Sequence, residues 1–162
     1  ITLLPDEIVK KWKFMFIGPS TEAFIQTVKN FKERYPEKAD SIIMTGNITD
    51  RTQLYTYCRR AKIICMTSRT EGACIATLES MFFGAYPIIT NYSDFALDTT
   101  NWGNCGRIVE NGNSDKLSAE LYNAMVDNDL LSKCIISQNY ARKMFDYNEL
   151  SKKLVEMLEN MN

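Results

Sequence analysis

Short apolar, often β-branched runs alternate along the chain with longer stretches in which apolar side chains recur every three or four positions. That alternation is the pattern of a layered sheet with crossover helices. It predicts five strands: Lys13 to Ile17 before Gly18-Pro19, Ser41 to Thr45 before Gly46, Lys62 to Met66, Pro87 to Thr90, and Gly106 to Val109. Helices are predicted at Thr21 to Arg34, Arg51 to Arg60, Ile75 to Phe83 and Ser114 to Asp127, and two more, Leu130 to Phe145 and Tyr147 to Asn160, finish the chain without strands. The first carries Phe24, Val28 and Phe31 at helical spacing and stops before Pro36, which cannot continue a helix. Asp50 with Gln53 three residues on is a capping-box arrangement for the second. Leu150, Leu154, Met157 and Leu158 give the last helix an apolar stripe, expected to pack in the core or against another lobe.

The fold class expected is α/β: a Rossmann-like, doubly wound, mostly parallel sheet with helices on both faces. Its 162 residues, 45% apolar, suffice for one well-packed domain and not two, so residues 1–162 read as a single domain. The first ten residues do not read as a strand followed by a helix, so the chain reads as a fragment of a longer one, lacking its first strand and helix. In a sheet of order 3-2-1-4-5-6 the absent strand is central. Phe14, Phe16, Ile63 and Cys65 are then expected to border a gap, filled by Ile1-Thr2-Leu3-Leu4, by another chain, or by residues outside this sequence.

Composition narrows the chemistry. The net charge of −1, with basic and acidic residues interspersed, leaves no footprint for a phosphodiester backbone, so a nucleic-acid partner is not expected. Five cysteines without close pairs fit neither a disulfide framework nor a zinc site and point to a reducing, cytoplasmic compartment. No run approaches the roughly 20 apolar residues of a spanning helix. Histidine is absent, which removes Ser-His-Asp and Cys-His nucleophilic catalysis and ordinary His-ligated metal chemistry. Carboxylates, backbone amides, Lys and Arg remain.

Glu71 and Glu79, in SRTEGACIATLESMFFGAYPIIT, straddle the point where a predicted strand hands over to a helix. Nucleotides bind at such points in open α/β sheets. The first amides of a helix lack partners within it, and the dipole adds about half a positive charge, so a phosphate binds there without a basic side chain. Gly72, Ala73, Cys74 and Ile75 would supply those amides. Glu79, one turn in, is placed to accept hydrogen bonds from ribose hydroxyls, and Glu71 to face the other end of the same ligand. A nucleotide diphosphate-sugar has that shape.

The same stretch resembles the Ser-x-x-Glu-Gly to Glu-x-Met-x-x-Gly signature of group 1 retaining glycosyltransferases of the GT-B type, with Glu71 and Glu79 as its E-x7-E. The resemblance extends to Ile43 through Ile48, Asp50-Arg51-x-x-Leu54-Tyr55, Ala61-Lys62-Ile63 and Cys105 through Val109. It implies the C-terminal, donor-binding lobe of an enzyme that transfers a hexose, with retention, from a nucleotide diphosphate-sugar to a glycan or lipid-linked acceptor held by an N-terminal lobe. It further implies polysaccharide biosynthesis at the cytoplasmic side, with peripheral association of the full-length enzyme at the inner face of the membrane. By motif, Glu71 would bind donor-sugar hydroxyls and stabilise charge at the anomeric carbon, and Glu79 would hold the ribose. Asn47 and Ile48 would lie against the base, with Ser68 and Arg69 at the mouth. No cofactor or metal is implied, since amides and basic side chains neutralise the pyrophosphate. Cys74 stands where the family often has a second glycine, which would narrow the pocket or alter donor choice. The Arg and Lys that clamp the pyrophosphate in the family come from the loop after its first strand. The isolated chain is therefore expected to bind donor weakly and to be inactive.

Plainer readings stand beside these. Ser68-x-x-Glu71 can be a capping box, although Gly72 would then fall in the first turn at a cost of about 1 kcal/mol relative to alanine. Glu79 can be a solvated or dipole-stabilising residue. Asp127-Asn128-Asp129 resembles an Asp-x-Asp metal motif but sits between helices and reads as a cap. Cys58, Cys65 and Cys134 read as buried small hydrophobes. At the level of function the rival is a non-catalytic nucleotide-binding or assembly module of the same fold. A receiver-type signalling domain lacks the acidic cluster expected after its first strand.

Overall fold

The computed structural model describes residues 1–160 and resolves them into two compact units, Ile1–Tyr55 and the segment from Thr56 onward. The first unit runs α1 (Asp6–Val9), β1 (Phe14–Ile17), α2 (Glu22–Arg34), α3 (Pro36–Ala39), β2 (Ile42–Gly46). β1 and β2 pair in parallel, Phe14 opposite Ile42 through Phe16 opposite Met44, with a register shift before Ile17 meets Gly46. Thr21 caps α2 by accepting from the Phe24 amide, and Phe24 sets its ring edge-on to Phe16 at 5.3 Å. Pro36 ends α2 as expected but also opens α3 at its first turn, where a missing N–H costs nothing.

Ile1–Leu4 closes a turn through Leu4 N–H to Ile1 O at 3.1 Å and forms no strand. It is tied down by a lysine that the sequence pattern did not single out. Lys38 is only 4% exposed. Its three ammonium hydrogens meet the Leu4 carbonyl at 2.8 Å, the Thr2 carbonyl at 3.3 Å and the Asp6 carboxylate at 3.1 Å, so the buried charge is fully satisfied.

The helix Arg51–Arg60, α4, crosses from the first unit into the second, with Asp50 Oδ1 accepting from the Thr52 amide at 2.8 Å. The second unit continues β3 (Ile63–Met66), α5 (Ile75–Phe82), β4 (Tyr86–Thr90), α6 (Phe95–Thr99), β5 (Arg107–Val109), α7 (Ser114–Val126), α8 (Leu130–Met144), α9 (Tyr147–Glu159). Its sheet is parallel throughout in the order β3-β4-β5. β4 is buried at every residue, as a central parallel strand covered on both faces must be. A separate ladder joins β1 to β2 within the first unit.

A proline in a central strand needs an explanation, since it donates no ladder hydrogen bond. Gly106 gives part of it. A Cβ there would stand 2.6 Å from the Pro87 ring and 2.8 Å from the Pro87 carbonyl oxygen, so only glycine allows the approach that seats β5 beside β4. α5 ends in a Schellman turn, Ala85 N–H to Ser80 O and Gly84 N–H to Met81 O, with Gly84 at φ +95°. α6 ends the same way, Trp102 N–H to Leu97 O and Asn101 N–H to Asp98 O, which accounts for the left-handed Asn101.

α8 covers the entry to the sheet. Ser137 donates to Ala85 O, Cys134 to Lys62 O and Gln138 to Phe82 O, while Ala141 packs with Leu78 and Met81. Asp127 accepts from the Asp129 amide and from Lys133, so its carboxylate is spent on the turn between α7 and α8, where Asp129 stands at the N-cap position without a side-chain cap bond, and no metal-holding cluster occurs among the described residues. One expectation is corrected and one narrowed to its lobe-packing alternative. Cys65 is exposed rather than buried, although the atoms packed around its sulfur desolvate the thiol and push its pKa up to about 12. Leu150, Leu154, Met157 and Leu158 of α9 are 46–65% exposed and form no core. Among the described residues no helix is long and apolar enough to cross a membrane.

Two substitutions test this packing. Lys38→Met keeps the stem but strands two carbonyls, and is expected to lower the unfolding free energy by about 2 kcal/mol in urea denaturation. Gly106→Ala should cost about 3 kcal/mol by the same measurement, because the added methyl meets the rigid Pro87 ring and the Pro87 carbonyl oxygen, neither of which can swing away.

Candidate functional site

The C-terminal ends of β3, β4 and β5 open on one edge, and the loops leaving them carry most of the residues singled out by sequence. The loop 67–74 after β3 holds Ser68, Arg69, Glu71, Gly72, Ala73 and Cys74, and Ile75 starts α5. Glu79 lies on α5 four residues in. Asn47 and Ile48 follow β2 in the first unit and belong to that unit's own description, exposed and half-buried respectively.

Glu71 is half-buried, and its Oε1 accepts from the Ser68 hydroxyl at 2.7 Å. The Ser-x-x-Glu pair is therefore a side-chain contact that aims a carboxylate, not a capping box. α5 has no side-chain cap at Cys74. The Thr77 amide is used on the Cys74 carbonyl at 3.0 Å, so the first-turn donors facing the loop belong to Ile75 and Ala76. Ala76 is a first-turn donor outside the Gly72 to Ile75 set, although the helix starts at Ile75 as expected. Gly72 and Ala73 remain as exposed backbone in the bend before it.

Cys74 does not narrow an opening. It is 5% exposed, and its sulfur accepts from Thr77 Oγ1 at 3.2 Å within a buried cluster of Ile89, Tyr92 and Ala96, flanked by Met66 and Ile108. The helix start is thereby packed onto the core, and the side chain points inward. Tyr92 in this cluster has its phenol pushed up by burial, partly offset by the hydrogen bond with Thr99, and raised further by the charge of nearby groups that include Glu71. On the other side, Glu79 adds to the raising of the Cys58 thiol, which burial dominates and a Ser80 hydrogen bond opposes. Each carboxylate thus stands beside a buried group that its field reaches.

Two further residues tie the loop down. Thr90 at the end of β4 donates to Ser68 O at 2.5 Å. Asn111, after β5, donates through Nδ2 to Arg69 O at 3.2 Å and to Asn91 O at 3.0 Å. Asn111 carried no sequence signal, being one polar residue in a predicted turn. The Ser93 hydroxyl, in the turn after β4, is buried without a hydrogen-bond partner among the described residues.

A parallel α/β sheet with an uncapped helix start and acidic side chains at the carboxyl edge of its strands is the architecture of a Rossmann-like nucleotide site. The chain belongs to the family described as glycosyl transferases group 1, which matches residues 1–144. Solved structures agree in fold. The C-terminal domain of a glycosyl transferase group 1 family protein, LpcC from Francisella tularensis, is 21% identical over 88% of this chain and 75% of that one, with a TM-score of 0.71. Anabaena HepE, in complex with UDP and glucose, is 16% identical over 96% of this chain and 43% of its own, with a TM-score of 0.71. Sucrose-phosphate synthase from Thermosynechococcus elongatus is 16% identical over 91% of this chain and 38% of its own, with a TM-score of 0.73. The chain spans less than half the length of these last two proteins. No curated protein matches it in sequence.

Since Cys74 is a packing residue, Cys74→Gly is expected to lower thermal stability by about 1 to 2 kcal/mol through the cavity it leaves. A variant as stable as the parent would return the side chain to the pocket.

Proposed function

We propose that this chain is the donor-binding part of a retaining glycosyltransferase, acting on a nucleotide diphosphate-sugar as part of a longer polypeptide. The observation that carries the reading is the half-buried Glu71, aimed by Ser68 beside the uncapped start of α5, with Glu79 one turn further on. The Ile75 and Ala76 amides receive the pyrophosphate, which the helix dipole favours. Glu79 holds the ribose hydroxyls. HepE, whose fold this chain shares, was solved with UDP and glucose, which supports the ligand class.

At the other end of the donor, Glu71 contacts the sugar hydroxyls and faces the positive charge that develops as the bond to the anomeric carbon breaks. Preorganised groups of this kind contribute on the order of 3 to 4 kcal/mol each in other enzymes. Retention follows a front-face path, in which the leaving phosphate takes the proton of the acceptor hydroxyl. The absence of histidine from the chain is consistent with that path, since no side-chain base is required. Amides and basic side chains neutralise the pyrophosphate without a metal.

The acceptor, a glycan or lipid-linked saccharide, is held by an N-terminal lobe that this chain meets in the complete enzyme. The exposed apolar stripe of α9 supports such a lobe contact. With that lobe absent, the isolated chain binds donor weakly and transfers nothing. The enzyme works in the cytoplasm, at the inner face of the membrane.

Saturation-transfer NMR and turnover assays on the complete enzyme with nucleotide diphosphate-sugars test the assignment. Glu79→Ala is expected to weaken donor binding by about tenfold or more, the loss of a charged hydrogen bond. Glu71→Gln should leave binding near the parent value and cut turnover by about a hundredfold or more. Unaltered transfer by Glu71→Gln, or none in the parent, would instead favour a non-catalytic module, and binding indifferent to Glu79→Ala would remove the ribose assignment.

A further inference from the structure

The mechanism above needs Glu71 held still, yet Glu71 sits on a loop, and the contacts that immobilise that loop come from outside it. We propose that Asn111 is a positioning residue for Glu71, acting through the backbone of the loop 67–71 rather than by touching the donor. Its side-chain amide has two hydrogens and both are used. One goes to the Arg69 carbonyl at 3.2 Å, two residues before Glu71, and the other to the Asn91 carbonyl at 3.0 Å, at the end of β4. One side chain from the end of β5 therefore joins the loops leaving β3 and β4, so all three strand ends are cross-tied at the edge where the candidate site lies.

Thr90 supplies the second attachment point, its hydroxyl meeting the Ser68 carbonyl at 2.5 Å. Ser68 passes the restraint on, because its own hydroxyl donates to Glu71 Oε1 at 2.7 Å. Two adjacent peptide carbonyls, those of Ser68 and Arg69, are thus anchored to β4 and β5, and the hydroxyl between the anchors and Glu71 sets the carboxylate's direction. Asn111 is an exposed residue, so its two hydrogen bonds contribute little to global stability compared with a buried pair. Their effect is local, on the mobility of a loop that otherwise has no regular structure. Glu79 lies on α5, outside this clamp, so donor affinity and carboxylate placement are separable. An isosteric aspartate at position 111 would keep the shape, lose both donors and set a carboxylate against two carbonyls.

This inference rests on the reading of Glu71 as the group that faces the donor sugar, and the test separates the two. In the complete enzyme, Asn111→Ala and Asn111→Asp are compared with the parent by hydrogen exchange of the amides of Arg69 to Ala73 and by steady-state transfer. Both variants are expected to speed exchange in that segment about tenfold while the rest of the chain exchanges as before. The turnover rate is expected to fall by roughly ten- to a hundredfold with donor KM within about twofold of the parent, as for a misplaced catalytic group. Unchanged exchange at Arg69 to Ala73 in either variant overturns the clamp. Faster exchange with unchanged turnover, or a loss confined to donor KM, overturns the link to Glu71. A parent enzyme that binds no nucleotide diphosphate-sugar overturns the functional reading instead, and exchange alone then decides whether Asn111 holds the loop.

Discussion

β4 runs buried at all five of its residues between two parallel neighbours, and the site depends on that placement. Parallel strands bring their carboxyl ends to one edge, and each connection must leave there as a loop before a helix carries the chain back. Three loops therefore meet at the edge of the β3-β4-β5 sheet. The peptide amides of a new helix, two carboxylates and a set of anchoring side chains are concentrated where the chain has no freedom to place them elsewhere. Gly106 is the local condition for this arrangement, since only a residue without a side chain lets β5 approach Pro87.

Within that edge the site is organised by division of labour. α5 is packed from below by Cys74, Ile89, Tyr92 and Ala96, so its first amides are rigidly aimed, while Glu79 is carried on the helix itself. Glu71 is on a loop and acquires its direction from Ser68, Thr90 and Asn111. On the proposed assignment, the group that holds the nucleotide is carried by a helix, and the group that faces changing charge takes its direction from hydrogen bonds made at three strand ends.

Much of this was legible in the residues. All five strands and the six long helices fall within one to two residues of their expected limits, because β-branched runs ending in glycine and helical apolar spacing are strong local signals. Three short helices escaped, Asp6–Val9, Pro36–Ala39 and Phe95–Thr99, being too short to show a period. Glu71 and Glu79 stood out because a strand, a glycine and a helix follow one another in register. Asn111 did not, because its partners lie 42 and 20 residues away and a turn asparagine has many ordinary uses. Lys38 was equally silent: nothing in Pro-Glu-Lys-Ala announces a lysine that is buried against two carbonyls. Cys74 was misjudged for a related reason, since the spacing located its backbone and the tertiary packing decided where its sulfur points.

On the proposed assignment the start of α5 is a phosphate site flanked by a sugar-facing and a ribose-facing carboxylate. The most direct measurement is an amide-resolved NMR footprint of nucleoside diphosphates on the complete enzyme. We expect the largest shifts at Ile75 and Ala76, smaller ones from Arg69 to Ala73 and around Glu79, and little change along α7 and α8. A footprint that leaves Ile75 and Ala76 unmoved while affecting another part of the chain would contradict the account.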